Sequence, residues 1–341
     1  MDGFVHGSFG KEKQLRLPSY SIAIRTLGTS GDKFRMELES IAVQTIVPER
    51  VVIYIAEGYS RPDYTVGKEE YVWVKKGIMA QRILQYEEIC SDYILMLDDD
   101  VLLKPDSAER LLQSIEDNNA DAVGADVFMN QSMSLGMKAY AAVTNLVLPH
   151  WSKRWAFKVH RYGSFSYNNN PSKSFYWSQS SAGTAILFRK KAFIEIHPEH
   201  ELWLEAMGFP YGADQLVYYK LYCNGGRLGI LYDAGITHLD ARSGSGAFQR
   251  SREYNYVRTR ALYMNWYRSI YRNGKDTVTS RLLAAMAFGF KTLWLTFVMC
   301  GAAVVKWDFR FISTYFKGLK DGWKAVHSPE FKSLPPYFIE K

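Results

Sequence analysis

Short apolar runs punctuate the first third of the chain. Ser19–Thr26 (SYSIAIRT), Arg50–Ala56 (RVVIYIA), Asp92–Leu97 (DYILML) and Asp121–Val127 (DAVGADV) each read as a strand. Between them the apolar spacing turns helical. Asp32–Thr45 carries Phe34, Leu38, Ile41 and Ala42 on one face and is closed by Pro48; Gly77–Cys90 and Pro105–Asp117 follow the same period. Strand–helix alternation of this kind predicts a parallel, helix-covered sheet. The pattern lapses over 128–180, an Asn-, Ser- and aromatic-rich excursion with some helix expected around 132–147. It resumes with a strand at Gly183–Arg189, a helix at Tyr211–Asn224 and a short strand at Gly229–Tyr232. No internal repeat is present.

Composition narrows the classes. The chain has 341 residues, 47% hydrophobic and 23% charged, which excludes wholesale disorder and low-complexity structure. Three cysteines, Cys90, Cys223 and Cys300, with no C-x-x-C spacing, argue against a disulfide framework or a cysteine zinc site and fit a reducing compartment. The first 18 residues hold no apolar run of signal-peptide length, so export by that route is not expected.

Charge is unevenly placed. The net charge is +7, yet residues 250–341 hold 16 Lys+Arg against 6 Asp+Glu, leaving the rest of the chain slightly acidic. Arg250–Tyr271 mixes Arg with Tyr and Trp, and Leu282–Val305 is a 24-residue apolar stretch with one charge, Lys291. As a helix it would be ~36 Å long, enough to cross a bilayer. Lys291 inside it, and basic residues on both flanks, favour instead a helix lying on or dipping into an anionic inner leaflet. A buried helix of the domain or a contact in a homo-oligomer is the other use of such a segment. Nucleic acid is not expected, because an apolar 24-mer serves no phosphate backbone. The end, Ser333-Leu334-Pro335-Pro336, reads as loose.

Candidate chemistry gathers at a few points. Asp98-Asp99-Asp100 follow an apolar strand directly, where open α/β sheets bind ligands. Three adjacent carboxylates suit Mg²⁺ or Mn²⁺ and, through the ion, a diphosphate; the alternative is a solvated acidic turn. Asp214, in FPYGADQ, opens a predicted helix and is either a general base or a carboxylate favoured by the helix dipole. His238, in GITH, completes a metal site or simply packs. Glu57, in AEG, is placed to bond a base or ribose, or is a turn residue; Arg82 meets a phosphate or faces solvent. There is no P-loop, no G-x-G-x-x-G after the first strand and no G-x-S-x-G.

In order and spacing these pieces resemble a family 2 glycosyltransferase over roughly residues 19–260. Leu38-Glu39-Ser40-Ile41-Ala42-Val43-Gln44 is similar to the family's L-x-S-[IL]-x-x-Q helix. Tyr93–Val101 is similar to its D-x-D strand, and Gly183 with Leu187-Phe188-Arg189 to its acceptor-half strand. Gly212-Ala213-Asp214-Gln215 is similar to its acidic-pair motif, and His238 with Tyr256-Val257-Arg258-Thr259-Arg260 to its closing H…Y-x-x-R-N-R. Three positions depart: Glu57-Gly58-Tyr59 replaces D-D-G-S, Ala213 replaces the first acid of the pair, and Thr259 replaces Asn. The Q-x-x-R-W signature of processive synthases is missing, so transfer of a single sugar is expected.

The resemblance implies a GT-A-type, Rossmann-like mixed sheet flanked by helices, with a C-terminal helical extension that associates with membrane. Residues 1–18 would be an N-terminal extension, 19–248 the catalytic domain (19–127 the nucleotide-sugar half, 128–248 the acceptor half) and 249–341 the tail. It implies an inverting hexosyl- or deoxyhexosyltransferase using a nucleoside-diphosphate sugar. Thr26, Glu57, Arg82, Asp98, Asp99 and Gly183 would line the donor, Asp100 and His238 would hold Mn²⁺ or Mg²⁺, and Asp214 would deprotonate the acceptor. The acceptor would be a glycan or lipid-linked hydroxyl at the cytoplasmic face of the membrane, as in bacterial surface-polysaccharide assembly. Trp151, Trp155 and Trp177 would stack on acceptor sugars or pack an edge. A nucleotidyltransferase, and a sugar- or lipid-binding protein on a degenerate transferase fold, are the rival readings. The Arg25–Ser30 loop holds one glycine, which speaks against the first; Ala213 leaves room for the second.

Overall fold

A computed structural model of the chain describes residues 18–127, 135–136, 139, 142–143, 154–207, 210–239 and 251–339. Trp151 lies outside them, as does most of the helix expected at 132–147, whose five described residues are helical.

The chain begins with β1 (Tyr20–Thr26), α1 (Asp32–Ala42), β2 (Val51–Ala56), β3 (Glu69–Val74), β4 (Tyr93–Asp98), β5 (Val101–Leu103), α2 (Ser107–Asp117) and β6 (Ala122–Ala125). It continues with β7 (Phe157–Val159), β8 (Phe165–Tyr167), β9 (Phe175–Ser178), β10 (Ala185–Arg189), α3 (Lys190–Glu195), a 3₁₀ segment (Pro198–Met207), α4 (Ala213–Cys223), β11 (Leu228–Leu231) and β12 (Ile236–His238). Eight strands form one sheet in the order β3-β2-β1-β4-β10-β6-β11-β9. β3, β2, β1 and β4 run parallel; β10 runs against β4 and β6, β11 is parallel to β6, and β9 closes the far edge antiparallel to β11. The sheet is therefore mixed rather than wholly parallel, because the chain enters β10 and β9 from the opposite end. β5 and β12 form a separate two-stranded ribbon.

The apolar runs are explained by burial on both faces. In β4, Leu95 and Leu97 join the core under α1 and α2, while Ile94 and Met96 join the opposite core with Phe188, Leu216 and Val217.

Three local expectations are corrected. Gly77–Cys90 is not a helix. One helical turn forms over Gly77–Ile83; Tyr86 then adopts a left-handed φ of 52° and buries its ring against Tyr54, Phe188 and Phe193, which draws the chain off the helical path. The 128–180 excursion contains β7, β8 and β9, and an edge strand, β3, lies in a stretch that shows no clear period. The C-terminus is not loose: Tyr337 is fully buried, its hydroxyl donates to the Leu216 carbonyl at 2.6 Å, and Ile339 N donates to Asn224 Oδ1 at 2.7 Å.

The tail forms α5 (Arg252–Trp266), a π-helical turn (Tyr267–Tyr271), α6 (Val278–Lys306), α7 (Arg310–Val326) and α8 (Pro329–Lys332). Ser251 and Thr277 cap α5 and α6 by accepting from Tyr254 N and Ser280 N. α7 crosses α5 closely because Gly318 and Gly322 have no side chain. A Cβ at Gly318 would lie 2.8 Å from the Tyr256 carbonyl and 2.9 Å from Thr259 Cβ. Thr259, the departure from the usual Asn, is thus part of a helix crossing.

Candidate active site

The parallel strands end at one edge of the sheet, where their last residues turn polar. β1 and β4 pair with Arg25 opposite Asp98. The Arg25 guanidinium donates to the Asp98 carboxylate and, at 2.8 Å, to the Gly183 carbonyl. At 4% side-chain exposure, Arg25 is a fixed internal cation. Burial alone would raise the Asp98 pKa, but Arg25 and then Arg82 hold it below the ordinary carboxylate range. Asp99 moves the other way. Burial raises it, and the charges of Asp98 and Asp100 add to that against hydroxyl donors on Thr26 and Ser30. Thr26 Oγ1 donates to Asp99 Oδ2 at 2.5 Å and accepts from Gly28 N at 2.7 Å.

Asp100 is turned toward β12. Its Oδ1 lies 3.0 Å from His238 Nε2, and its carbonyl accepts from Leu239 N at 2.9 Å. The β5–β12 ribbon sets this spacing by pairing Val101 with His238. A carboxylate oxygen and an imidazole nitrogen so close, both partly exposed, suit a divalent ion such as Mn²⁺. The neighbouring carboxylates of the turn are engaged, Asp98 by Arg25 and Asp99 by Thr26, so Asp100 and His238 are the two side chains offered to such an ion.

Asp214 stands in the first turn of α4, brought there by Gly212 at φ 78°. Tyr211 is steadied from the tail: Asn265 Nδ2 donates to its carbonyl at 2.9 Å, and Arg258 lies over its ring. The Asp214 carboxylate lies so close to Gly183 that any Cβ there would collide with it. Gly183 thus bears on the candidate base, while its carbonyl serves Arg25. Arg82 forms an ion pair with Asp214 through Nε, and its Nη2 is 4.0 Å from Asp98 Oδ1. Arg82 therefore joins Asp98, on β4, to Asp214, on α4.

Glu57 is exposed at the end of β2, one strand beyond β1. A cleft of about 650 Å³ lined by Gly28, Ser30, Phe34, Pro62 and Tyr64 opens beside the Thr26–Asp99 contact. Trp155 and Trp177 do not join this group. Trp155 meets Tyr222, at the far end of α4, edge-on, and Arg227 lies over Trp177 on the outer edge of the sheet.

Two residues at the site were missed in the sequence. Arg25 carries a signal, a charge inside an otherwise apolar buried strand. Glu205 carries none. Its carboxylate accepts from the amides of Ile78 (3.2 Å), Met79 (2.7 Å) and Ala80 (3.2 Å), so it caps the turn that bears Arg82.

Residues 72–196 match the model of the glycosyl transferase family 2, a span that contains Arg82, the three aspartates and Gly183. Comparison with curated proteins gives no match. Among solved structures, the chain is similar to the mannosyltransferase PcManGT from Pyrobaculum calidifontis in complex with GDP-Man and Mn²⁺. The two share 13% identity at a TM-score of 0.48, over 90% of this chain and 87% of that one. The family match falls on the strand that ends in the aspartate turn and on the strand preceded by Gly183, and over these residues the chain is similar to glycosyl transferase family 2.

Proposed function

We propose that the protein is an inverting, metal-dependent glycosyltransferase. It would move one hexosyl or deoxyhexosyl residue from a nucleoside-diphosphate sugar to a hydroxyl of a glycan or lipid-linked acceptor. The observation that carries this is Asp214, held at the mouth of α4 and linked through Arg82 to the aspartate turn. Asp214 takes the acceptor hydroxyl proton as that oxygen bonds to the anomeric carbon. The anomeric bond to the diphosphate breaks on the opposite face, and a nucleoside diphosphate leaves. One carboxylate suffices as base, because no covalent intermediate is formed. Asp100 and His238 would hold Mn²⁺ or Mg²⁺, which offsets charge on the leaving diphosphate. Thr26, Asp99 and the adjoining cleft receive the nucleoside, with Glu57 at its outer rim.

Calorimetric titration with UDP, GDP and dTDP in the presence of Mn²⁺ tests the donor site. One nucleotide should bind only with metal, and Asp100→Ala should lose that binding. A folded protein that binds none of them overturns the reading, and release of pyrophosphate rather than nucleoside diphosphate would favour a nucleotidyltransferase.

The tail supports a place at the cytoplasmic face of a bacterial membrane, in surface-polysaccharide assembly. α6 is long and apolar enough to cross a membrane. Leu282, Met286, Phe290, Leu293 and Phe297 repeat at helical spacing and are 60–73% exposed, a large unpartnered apolar stripe. Lys291 points the other way, and its ammonium donates to Ser164 Oγ and to the Tyr162 carbonyl on the β7–β8 hairpin. A helix pinned to the body by its buried lysine lies along the bilayer surface. Lys320 and Lys324, exposed on α7, add positive charge for anionic lipid. The protein should sediment with anionic vesicles, and Phe290→Glu with Phe297→Glu should abolish this. Equal sedimentation of the parent and the double variant would remove α6 as the docking face.

A further inference from the structure

The two arginines at the aspartate turn differ in a way that simple donor binding does not require. Arg25 is buried, with two fixed oxygen partners, the Asp98 carboxylate and the Gly183 carbonyl. Arg82 is 18% exposed, and its ion-pair partner Asp214 is 23% exposed, so both are partly open to solvent. The turn that bears Arg82 is fixed: Glu205 caps it, and a Cβ at Gly77 would lie 2.5–3.0 Å from the Glu205 carboxylate. The guanidinium rests on Asp214 through Nε and on the Ile78 carbonyl through Nη1, at 3.1 Å, which leaves Nη2 turned toward Asp98. Within its reach are Asp214, to which it is bonded, and Asp98 at 4.0 Å, beside the turn where a donor diphosphate would sit.

We infer that Arg82 serves two anions in turn: it pairs with Asp214 while the donor site is empty and moves to the donor diphosphate when one binds, releasing the base only then. This rests on the reading of Asp214 as the base. A diphosphate offers several charged oxygens to a planar guanidinium, against one carboxylate, so it wins the exchange. The ion pair with Arg82 occupies Oδ1 of Asp214, and the exchange leaves both carboxylate oxygens open to the proton of an acceptor hydroxyl. The arrangement makes acceptor activation conditional on donor occupancy without any movement of the backbone.

The exchange predicts a coupling that equilibrium binding reads without any turnover. The ligand is the nucleoside diphosphate that the parent binds with Mn²⁺. Arg82→Gln should weaken it ~10–100-fold, the loss of a charge-assisted contact. Asp214→Asn should tighten it about 2–5-fold, because the diphosphate no longer competes with an ion pair. In the Arg82→Gln background, Asp214→Asn should have no further effect. Arg82→Met, which also removes the cation, serves if the glutamine variant does not fold, and circular dichroism decides which is used. Tightening that persists without Arg82 would mark simple removal of a negative charge and overturn the exchange, as would Asp214→Asn that leaves affinity unchanged or lower. If the parent binds no nucleoside diphosphate, the transferase reading itself falls; if it binds but the cycle shows no coupling, only the exchange does.

Discussion

Asp214→Asn is expected to slow sugar transfer by about 10²–10⁴-fold, the usual worth of a positioned general base. Asparagine keeps the shape and can still touch Arg82, but it cannot take a proton from the acceptor hydroxyl. Among the described residues, the other carboxylates of the site are engaged: Asp98 by Arg25, Asp99 by Thr26, and Asp100 by His238. Nucleoside-diphosphate binding should survive the change, so the loss should appear in kcat for nucleoside-diphosphate release rather than in donor affinity. A variant that turns over at the parent rate would remove Asp214 as base and with it the single-displacement mechanism.

Glu201→Gln is expected to destabilise the protein by about 3–5 kcal/mol, because it leaves buried cations without their counter-charge. Glu201 lies on the 3₁₀ segment and is fully buried, as is Lys220 of α4, 2.9 Å away. Arg268, on the π-helical turn of the tail, donates to both Glu201 oxygens at 2.9 and 3.0 Å, and Trp203 Nε1 donates at 2.8 Å. This cluster locks the tail to the body beneath Tyr337. Burial would raise the Glu201 pKa, but Arg268, Lys220 and Trp203 hold it below the ordinary value of 4.5. Its folded-state pKa is thus lower than its unfolded one. The contribution is complete above about pH 4.5 and is lost as pH falls through the folded value. Urea unfolding of parent and variant at neutral pH measures the loss. A midpoint within error of the parent would show that the triad does not hold the tail. Replacing all three charged residues by Met should recover much of the loss, since then no charge is left orphaned.

The site was legible where chemistry sits next to its own strand. Asp98 to Asp100 follow β4 without a gap, and Asp214 opens a helix marked by Pro210 and Gly212, so both stand out in a linear reading. Gly183 and Arg82 stand out in the sequence as donor contacts; their shared proximity to Asp214, across 31 residues of chain for Gly183 and 132 for Arg82, is not legible there. Arg82 was placed on a helix that the buried Tyr86 ring does not allow to form.

By itself the sequence determined what depends on neighbours in the chain: the apolar strands of a sheet buried on both faces, the acidic turn at the end of β4, the basic tail and its apolar helix. These are written in periods of two and 3.6 residues and in runs of charge, which need no knowledge of what packs where. Only the tertiary structure decided that Arg25 neutralises Asp98, that Arg82 bridges to Asp214, that Glu205 caps its turn, and that Glu201, Lys220 and Arg268 fasten the tail. Each is a charge set against a distant charge or amide. The strand order brings them together, and burial makes the pairing obligatory, because an ion withdrawn from water without a partner costs several kcal/mol (roughly).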